Sequence, residues 1–163
     1  MIHIYTDGGC TGNPGPGGWA AVILEEGREA IEISGGEAST TNNQMELTAA
    51  IRALEKIAPC SKAIEIHTDS QYLRNGITEW LPNWVRKGWK TASKKPVKNQ
   101  HLWRQLQELN NTMNIQWTWL KGHVGQQWNE RCDQLVAAER EKLKNISNFQ
   151  AGDREFRLKE KRT

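Results

Sequence analysis

Nothing in the chain approaches the ~20 consecutive apolar residues that span a bilayer. The longest apolar run, Trp19 to Leu24, has six residues. The opening Met1-Ile2-His3-Ile4-Tyr5 also lacks the basic and long apolar stretches of a secretory leader, which predicts a cytoplasmic protein with no membrane attachment. Cysteine is scarce. Cys10, Cys60 and Cys132 are odd in number, far apart and without C-x-x-C spacing, which argues against a disulfide framework and against a cysteine zinc site. No linker and no internal repeat divides the 163 residues, so one hydrophobic core is expected. Acid is missing locally. Residues 80–107 hold seven Lys or Arg and no Asp or Glu, while residues 144–163 hold six bases and three acids. With +7 and +3 in those segments, the chain total of +3 leaves −7 on the remainder. A cationic arm beside an anionic body suits a polyanion held next to an acidic, metal-collecting site.

Ile2-His3-Ile4-Tyr5-Thr6-Asp7 and Ile64-Glu65-Ile66-His67-Thr68-Asp69 read as strands ending in Thr-Asp, and Asn114 to Leu120 reads as a third. Between the first two, Trp19–Glu26 and Arg28–Ser34 flank Gly27 as a hairpin. Thr41 and Gln44 have capping-box spacing. Leu47, Ala50, Ile51, Leu54 and Ile57 then carry a helix to the stop at Pro59. Weaker helices are predicted over 70–81 and 99–110, and a last one from Asn129 to about Lys144. The order βββαβα(α)βα predicts an α/β domain over residues 1–143: a mixed five-stranded sheet, three strands antiparallel and the rest parallel, flanked by helices. A basic protrusion is expected at about 80–98, and a charged, mobile tail over 144–163.

The chemistry concentrates in acids. Asp7 and Asp69 end two strands that, as parallel neighbours, present their carboxylates at the sheet edge where open α/β folds bind ligands. Glu46 and Asp133 are each expected in the first turn of a helix, where the dipole favours an ionised acid. Singly, each is ordinary turn or capping chemistry. Together, without a competing His/Cys set, they form an all-oxygen site suited to Mg²⁺ or Mn²⁺ rather than zinc. His123, between Gly122 and Val124-Gly125, sits in a loop that can move. It can transfer protons near neutral pH. His3, His67 and His101 have weaker claims, the first two alternating within strands as packed or surface residues. The glycine-rich Gly8–Gly18 segment lacks Gly-Lys-Ser/Thr and leads into a strand, so it reads as a turn-rich connector and not a phosphate-cradling loop.

Seven collinear segments resemble type 1 ribonuclease H of bacteria: Tyr5-Thr6-Asp7-Gly8-Gly9-Cys10, Thr41-Asn42-Asn43-Gln44-Met45-Glu46, His67-Thr68-Asp69-Ser70-Gln71-Tyr72, Gly88-Trp89-Lys90-Thr91, Lys95-Pro96-Val97-Lys98-Asn99, Trp119-Leu120-Lys121-Gly122-His123 and Asn129-Glu130-Arg131-Cys132-Asp133. The resemblance implies a ribonuclease H-like fold and a metal-dependent endoribonuclease that cuts the RNA strand of RNA/DNA hybrids. Two Mg²⁺ ions with substrate bound, or Mn²⁺ as substitute, would give 5′-phosphate and 3′-hydroxyl ends. It makes Asp7, Glu46, Asp69 and Asp133 the metal-binding carboxylates and His123 an aid to turnover. It puts the Cys10 backbone, Asn13 and Gln71, with Glu46, in the minor groove against RNA 2′-hydroxyls. Thr41, Asn42, Asn43 and Asn99 would hold the DNA strand and one of its phosphates, Trp80 would meet a deoxyribose, and Lys87, Lys94, Lys95 and Lys98 would neutralise phosphates. Trp84, Trp89 and Trp103 are expected to pack the arm onto the body. Ser39 stands where some relatives carry a phosphate-binding Arg, so phosphate anchoring is expected either to be weaker or to rely more on the arm. The implied partner is the hybrid duplex, with the protein a monomer needing no other protein. A transposase-like core, which uses a differently spaced acidic triad, and a hybrid-binding module without catalysis remain the alternatives.

Overall fold

The computed structural model describes residues 1–91, 93–121 and 127–162, with side chains of the last helix described to Ile146. Five strands, β1 (Ile2–Cys10), β2 (Gly15–Glu25), β3 (Ile31–Thr40), β4 (Ile64–Thr68) and β5 (Ile115–Trp119), form one sheet in the order β3-β2-β1-β4-β5. The β1–β2 and β2–β3 pairs are antiparallel, and β1–β4 and β4–β5 are parallel. This is the mixed five-stranded sheet expected, with β1 at its centre. Among the described residues, no helix is long and apolar enough to cross a membrane.

Alternation places the layers. Ile2, Ile4 and Thr6 of β1 and Ile64, Ile66 and Thr68 of β4 are buried, while the residues between them are not fully so. The buried isoleucines join the main core, to which α1 (Asn42–Ile57) contributes Leu47, Ala50, Ile51 and Leu54 and α4 (Gln100–Thr112) contributes Trp103 and Leu106. A second, smaller core forms where Cys132 and Val136 of α5 (Gln127–Arg162) meet Ala20 and Val22, with Tyr5 and Trp128 packed against it. Trp128 therefore helps anchor the start of α5.

The glycine-rich segment, the second arm of the hairpin, which runs to Thr40 and not Ser34, and the end of the last helix depart from expectation. Gly8 to Cys10 and Gly15 to Gly18, read as a turn-rich connector, extend the β1–β2 ladder, with Gly8 opposite Trp19 and Cys10 opposite Gly17. The reason is close packing: a Cβ on Gly8 would lie 2.4 Å from the Met45 carbonyl carbon, and one on Gly17 would lie 2.4 Å from Thr40 Cγ2. The last helix, expected to end near Lys144, runs to Arg162. The Lys, Arg, Glu and Gln of that stretch are good helix formers and no proline interrupts them. Side chains of the predicted tail beyond Ile146 lie outside the described residues.

The helix predicted over 70–81 is a continuous but changing coil: α2 (Gln71–Asn75), a π-helical turn (Gly76–Trp80) and α3 (Leu81–Arg86). Gly76 explains the irregular middle. The Trp103 ring fills the space beside it, and a Cβ there would meet Trp103 Cη2 at 2.0 Å.

Candidate active site and nucleic-acid interface

Pairing between β1 and β4 ends at Tyr5 and His67, whereas β1 continues beside β2 to Cys10. Three acids converge at this divergence. Asp7 lies in β1, Asp69 directly follows β4, and Glu46 comes from α1; one ligand oxygen from each lies within 4.8 Å of the others. Glu46 is the most enclosed of the three. Its carboxylate accepts the Gly8 amide hydrogen, while its Oε2 is buried with no hydrogen-bond partner. Burial, then the carboxylates of Asp7 and Asp69, push the Glu46 carboxyl well above its ordinary range. Two unmet demands therefore coincide: a buried lone pair without a donor and three mutually repelling acids. A hard divalent cation satisfies both, so the donor set fits a Mg²⁺ or Mn²⁺ site.

The helix dipole does not supply this stabilisation. Expected in a first helical turn, Glu46 is instead the fifth residue of α1, and Asp133 is the seventh of α5. The macrodipole fades within the first turn, so burial decides the state of Glu46. Asp133 is exposed, follows the buried Cys132, and does not join the three-carboxylate group. Cys132 donates its thiol hydrogen to the Tyr5 carbonyl at 3.4 Å, and burial, then Asp7, pushes that thiol up to about 12, which removes thiolate chemistry from the site. His123 lies outside the described residues.

Beside the carboxylates, the polar residues expected to meet substrate are tied together. Asn42 Oδ1 accepts the Cys10 amide at 2.8 Å, and Asn13 Oδ1 accepts the Asn42 amide at 3.2 Å and the Cys10 thiol at 3.4 Å. Thr41 caps α1 by accepting the Gln44 amide at 3.2 Å. The reciprocal half of the capping box is not made. Gln44 Oε1 accepts from Thr40 Oγ1 at 2.9 Å, and its Nε2 donates to Asn99 Oδ1 at 3.2 Å. Asn99, held at φ +60° at the start of α4, donates in turn to the Tyr72 hydroxyl at 3.2 Å, which also accepts from Trp103 Nε1 at 2.9 Å. Gln44 and Tyr72 thus position Asn99, a role invisible in sequence because the partners are 55 and 27 residues away. Asn43 and Gln71 are exposed at the starts of α1 and α2.

The basic arm is a small folded unit. Trp89 and Val97 are buried anchors, and Lys90 bridges to Pro96 between them. Trp84 contacts Trp80, Trp89 and Trp103, while the Arg104 guanidinium sits 5.0 Å from the Trp89 ring centre. Trp80 is half-buried between Tyr72 and Trp84, whose rings it meets at 5.7 and 5.9 Å. Lys87, Lys94, Lys95 and Lys98 are all exposed, as is Ser39 on β3.

The family model for RNase H matches residues 1–141. The ribonuclease H of Xanthomonas campestris pv. campestris (strain 8004) is 57% identical over 136 residues, covering 83% of this chain and 89% of that relative. Among solved structures, LC9-RNase H1, a type 1 RNase H with the type 2 active-site motif, matches with a TM-score of 0.75 at 28% identity, over 87% of this chain and 72% of that one. LC11-RNase H1, solved in complex with an RNA/DNA hybrid, matches with a TM-score of 0.60 at 26% identity, over 87% of this chain and 98% of that one.

Proposed function

The chain belongs to the ribonuclease H family, and we propose that it hydrolyses the RNA strand of RNA/DNA hybrids endonucleolytically, using two divalent ions at the carboxylate cluster and leaving 5′-phosphate and 3′-hydroxyl ends. The observation that carries this reading is the convergence of Asp7, Glu46 and Asp69, with an unpartnered Glu46 oxygen, beside the knitted Cys10–Asn13–Asn42 surface. Mg²⁺ is the ion proposed, with Mn²⁺ as substitute, since all donors are hard oxygens.

Bound there, two such ions supply an activated water and charge compensation for the leaving 3′-oxygen. The chain's part is to hold and orient. Asp7, on the central strand, would hold metal from the middle of the sheet. Glu46 and Asp69 complete the described group, and Asp133 is proposed to join from α5. His123 is proposed to move protons during turnover. The Cys10 backbone, Asn13 and Gln71 would read 2′-hydroxyls of the RNA strand. Thr41, Asn42, Asn43 and Asn99 would grip the DNA strand, Trp80 would pack on a deoxyribose, and Lys87, Lys94, Lys95 and Lys98 would neutralise phosphates. Support for a hybrid as the substrate comes from LC11-RNase H1, which carries one. Because Asp7, Glu46 and Asp69 all come from one chain, the cluster needs no second subunit, and a cytoplasmic monomer is the proposed working form.

Incubating end-labelled RNA/DNA, RNA/RNA and DNA/DNA duplexes with Mg²⁺ tests the proposal. Cleavage is expected in the RNA strand of the hybrid alone. Cyclic 2′,3′-phosphate ends would overturn it, because they require the RNA 2′-hydroxyl, not water, as nucleophile.

A further inference from the structure

A second group of potential ligands lies one step back along the same two strands. His3 on β1 stands opposite Glu65 on β4 in the parallel ladder, and Tyr5 stands opposite His67. His3 Nδ1 and His67 Nε2 are 3.1 Å apart. Glu65 reaches both: its Oε2 is 3.7 Å from His3 Nδ1 and its Oε1 is 3.8 Å from His67 Nε2. Hydrogen bonding within the cluster leaves this arrangement incomplete. A proton between the facing nitrogens pairs the two rings, while the Glu65 carboxylate, at 3.7 and 3.8 Å, lies beyond hydrogen-bond distance of both. One cation satisfies all three groups. A tetrahedral ion with bonds of about 2.0–2.2 Å spaces its ligand atoms roughly 3.3–3.6 Å apart, and one ligand atom from each of the three side chains already lies within 4.8 Å of the others.

We infer that His3, Glu65 and His67 bind a zinc-class transition-metal ion on the sheet, separate from the catalytic carboxylates. Two imidazole nitrogens and one carboxylate oxygen are its ligands, and water takes the fourth position. Imidazole favours zinc, cobalt, nickel and copper over magnesium, so this donor set and the all-oxygen cluster select different ions. The supporting contacts already exist. Thr118 donates to Glu65 Oε1 at 2.8 Å, and the Tyr5 ring stacks on His67 with centres 4.5 Å apart and planes 10° from parallel. The His3 side chain is 42% exposed and that of His67 12%, which gives an ion a way in from the His3 side. Bound ion would tie β1 to β4 just before the two strands diverge towards Asp7 and Asp69.

The test titrates CoCl₂ or ZnCl₂ into the full-length protein in excess Mg²⁺, reading the Co²⁺ ligand-field absorption and the zinc-dependent Tm. Wild type is expected to take up one Co²⁺ with a tetrahedral nitrogen/oxygen spectrum. Its Tm should rise by roughly 5–10 °C when zinc is about 100-fold above Kd. The Asp7→Asn/Asp69→Asn double variant should behave like wild type. His3→Gln and His67→Gln should each lose the spectrum and the Tm rise, and Thr118→Val should weaken binding by about 10- to 100-fold. No uptake by wild type, equal uptake by either histidine variant, or loss in the Asp7→Asn/Asp69→Asn variant would each overturn the assignment.

Discussion

The Gly8 amide donates its hydrogen to the Glu46 carboxylate, so the residue after Asp7 and the second turn of α1 are joined by one bond at the centre of the site. The contact exists because α1 packs backbone to backbone on β1 at a residue with no side chain. It sets how far apart Asp7 and Glu46 stand.

Gly8→Ala should therefore damage both stability and activity. The added Cβ would lie 2.4 Å from the Met45 carbonyl carbon and 2.6 Å from the Glu46 nitrogen, and backbone cannot yield as a flexible side chain does. A loss of about 1–3 kcal/mol, typical of overpacking, is expected in urea unfolding. A near-wild-type midpoint would mean that α1 can shift freely on the sheet.

Asp7→Asn and Asp69→Asn should each nearly abolish cleavage in Mg²⁺ while leaving hybrid affinity within a few fold, since neither touches a proposed phosphate contact. Single-turnover cleavage and equilibrium binding measure the two effects separately. Wild-type-like turnover by either variant would remove the carboxylate cluster from the mechanism.

Glu46 predicts a pH effect on stability. Its folded-state value is raised above the ordinary 4.5, mainly by burial, so the protonated form is favoured by folding. The associated stability is complete below the unfolded value and is lost as pH rises through the folded one. Metal-free Tm should consequently fall more steeply above about pH 4.5 in wild type than in Glu46→Gln. Glu25 and Glu32, held low by hydrogen bonds from Lys62 and Arg131, act in the opposite direction but equally in both proteins. At neutral pH without metal, Glu46→Gln should melt a few degrees higher, about 2–4 °C for each kcal/mol relieved. Mg²⁺ should narrow the gap by stabilising the ionised wild type. Parallel Tm–pH curves for the two proteins would contradict the buried-acid account.

Much of this site was legible in the sequence because its parts are tied to strand and helix ends. Thr6-Asp7 and Thr68-Asp69 echo one another just past the end of the parallel β1–β4 pairing, and the Thr41 cap locates α1 and hence Glu46. What escaped reading depends on distant packing. Gly8, Gly17 and Gly18 look like a loop until α1, Thr40 and α5 are brought against them. Gln44 looks like the far half of a capping box until Asn99 competes for its amide. His3 and His67 read as isolated strand residues because their meeting requires the β1–β4 register, which no local pattern encodes.

His123→Ala should lower kcat by roughly 100-fold, within the usual range for a proton-transfer group, with little effect on metal affinity. Metal titration of activity separates the two. A loss as complete as that of Asp7→Asn would give His123 a more central part than proton transfer.

The arm should govern affinity through its charge. Each phosphate neutralised by Lys or Arg releases condensed counterions, giving a slope of log K against log salt of about −0.9 per contact on a B-like duplex. Lys87, Lys94, Lys95 and Lys98 are exposed, and the arm beneath them is anchored by buried Trp89 and Val97, so replacing all four with Ala should leave its fold intact. If three or four of the arm's bases touch the hybrid together, the slope should flatten by roughly three units and the loss should fall on KM rather than kcat. Lysines that merely solvate a protruding segment would leave the slope unchanged. Hybrid affinity measured at several salt concentrations for both proteins distinguishes these cases, and parallel lines would show that the arm does not handle substrate.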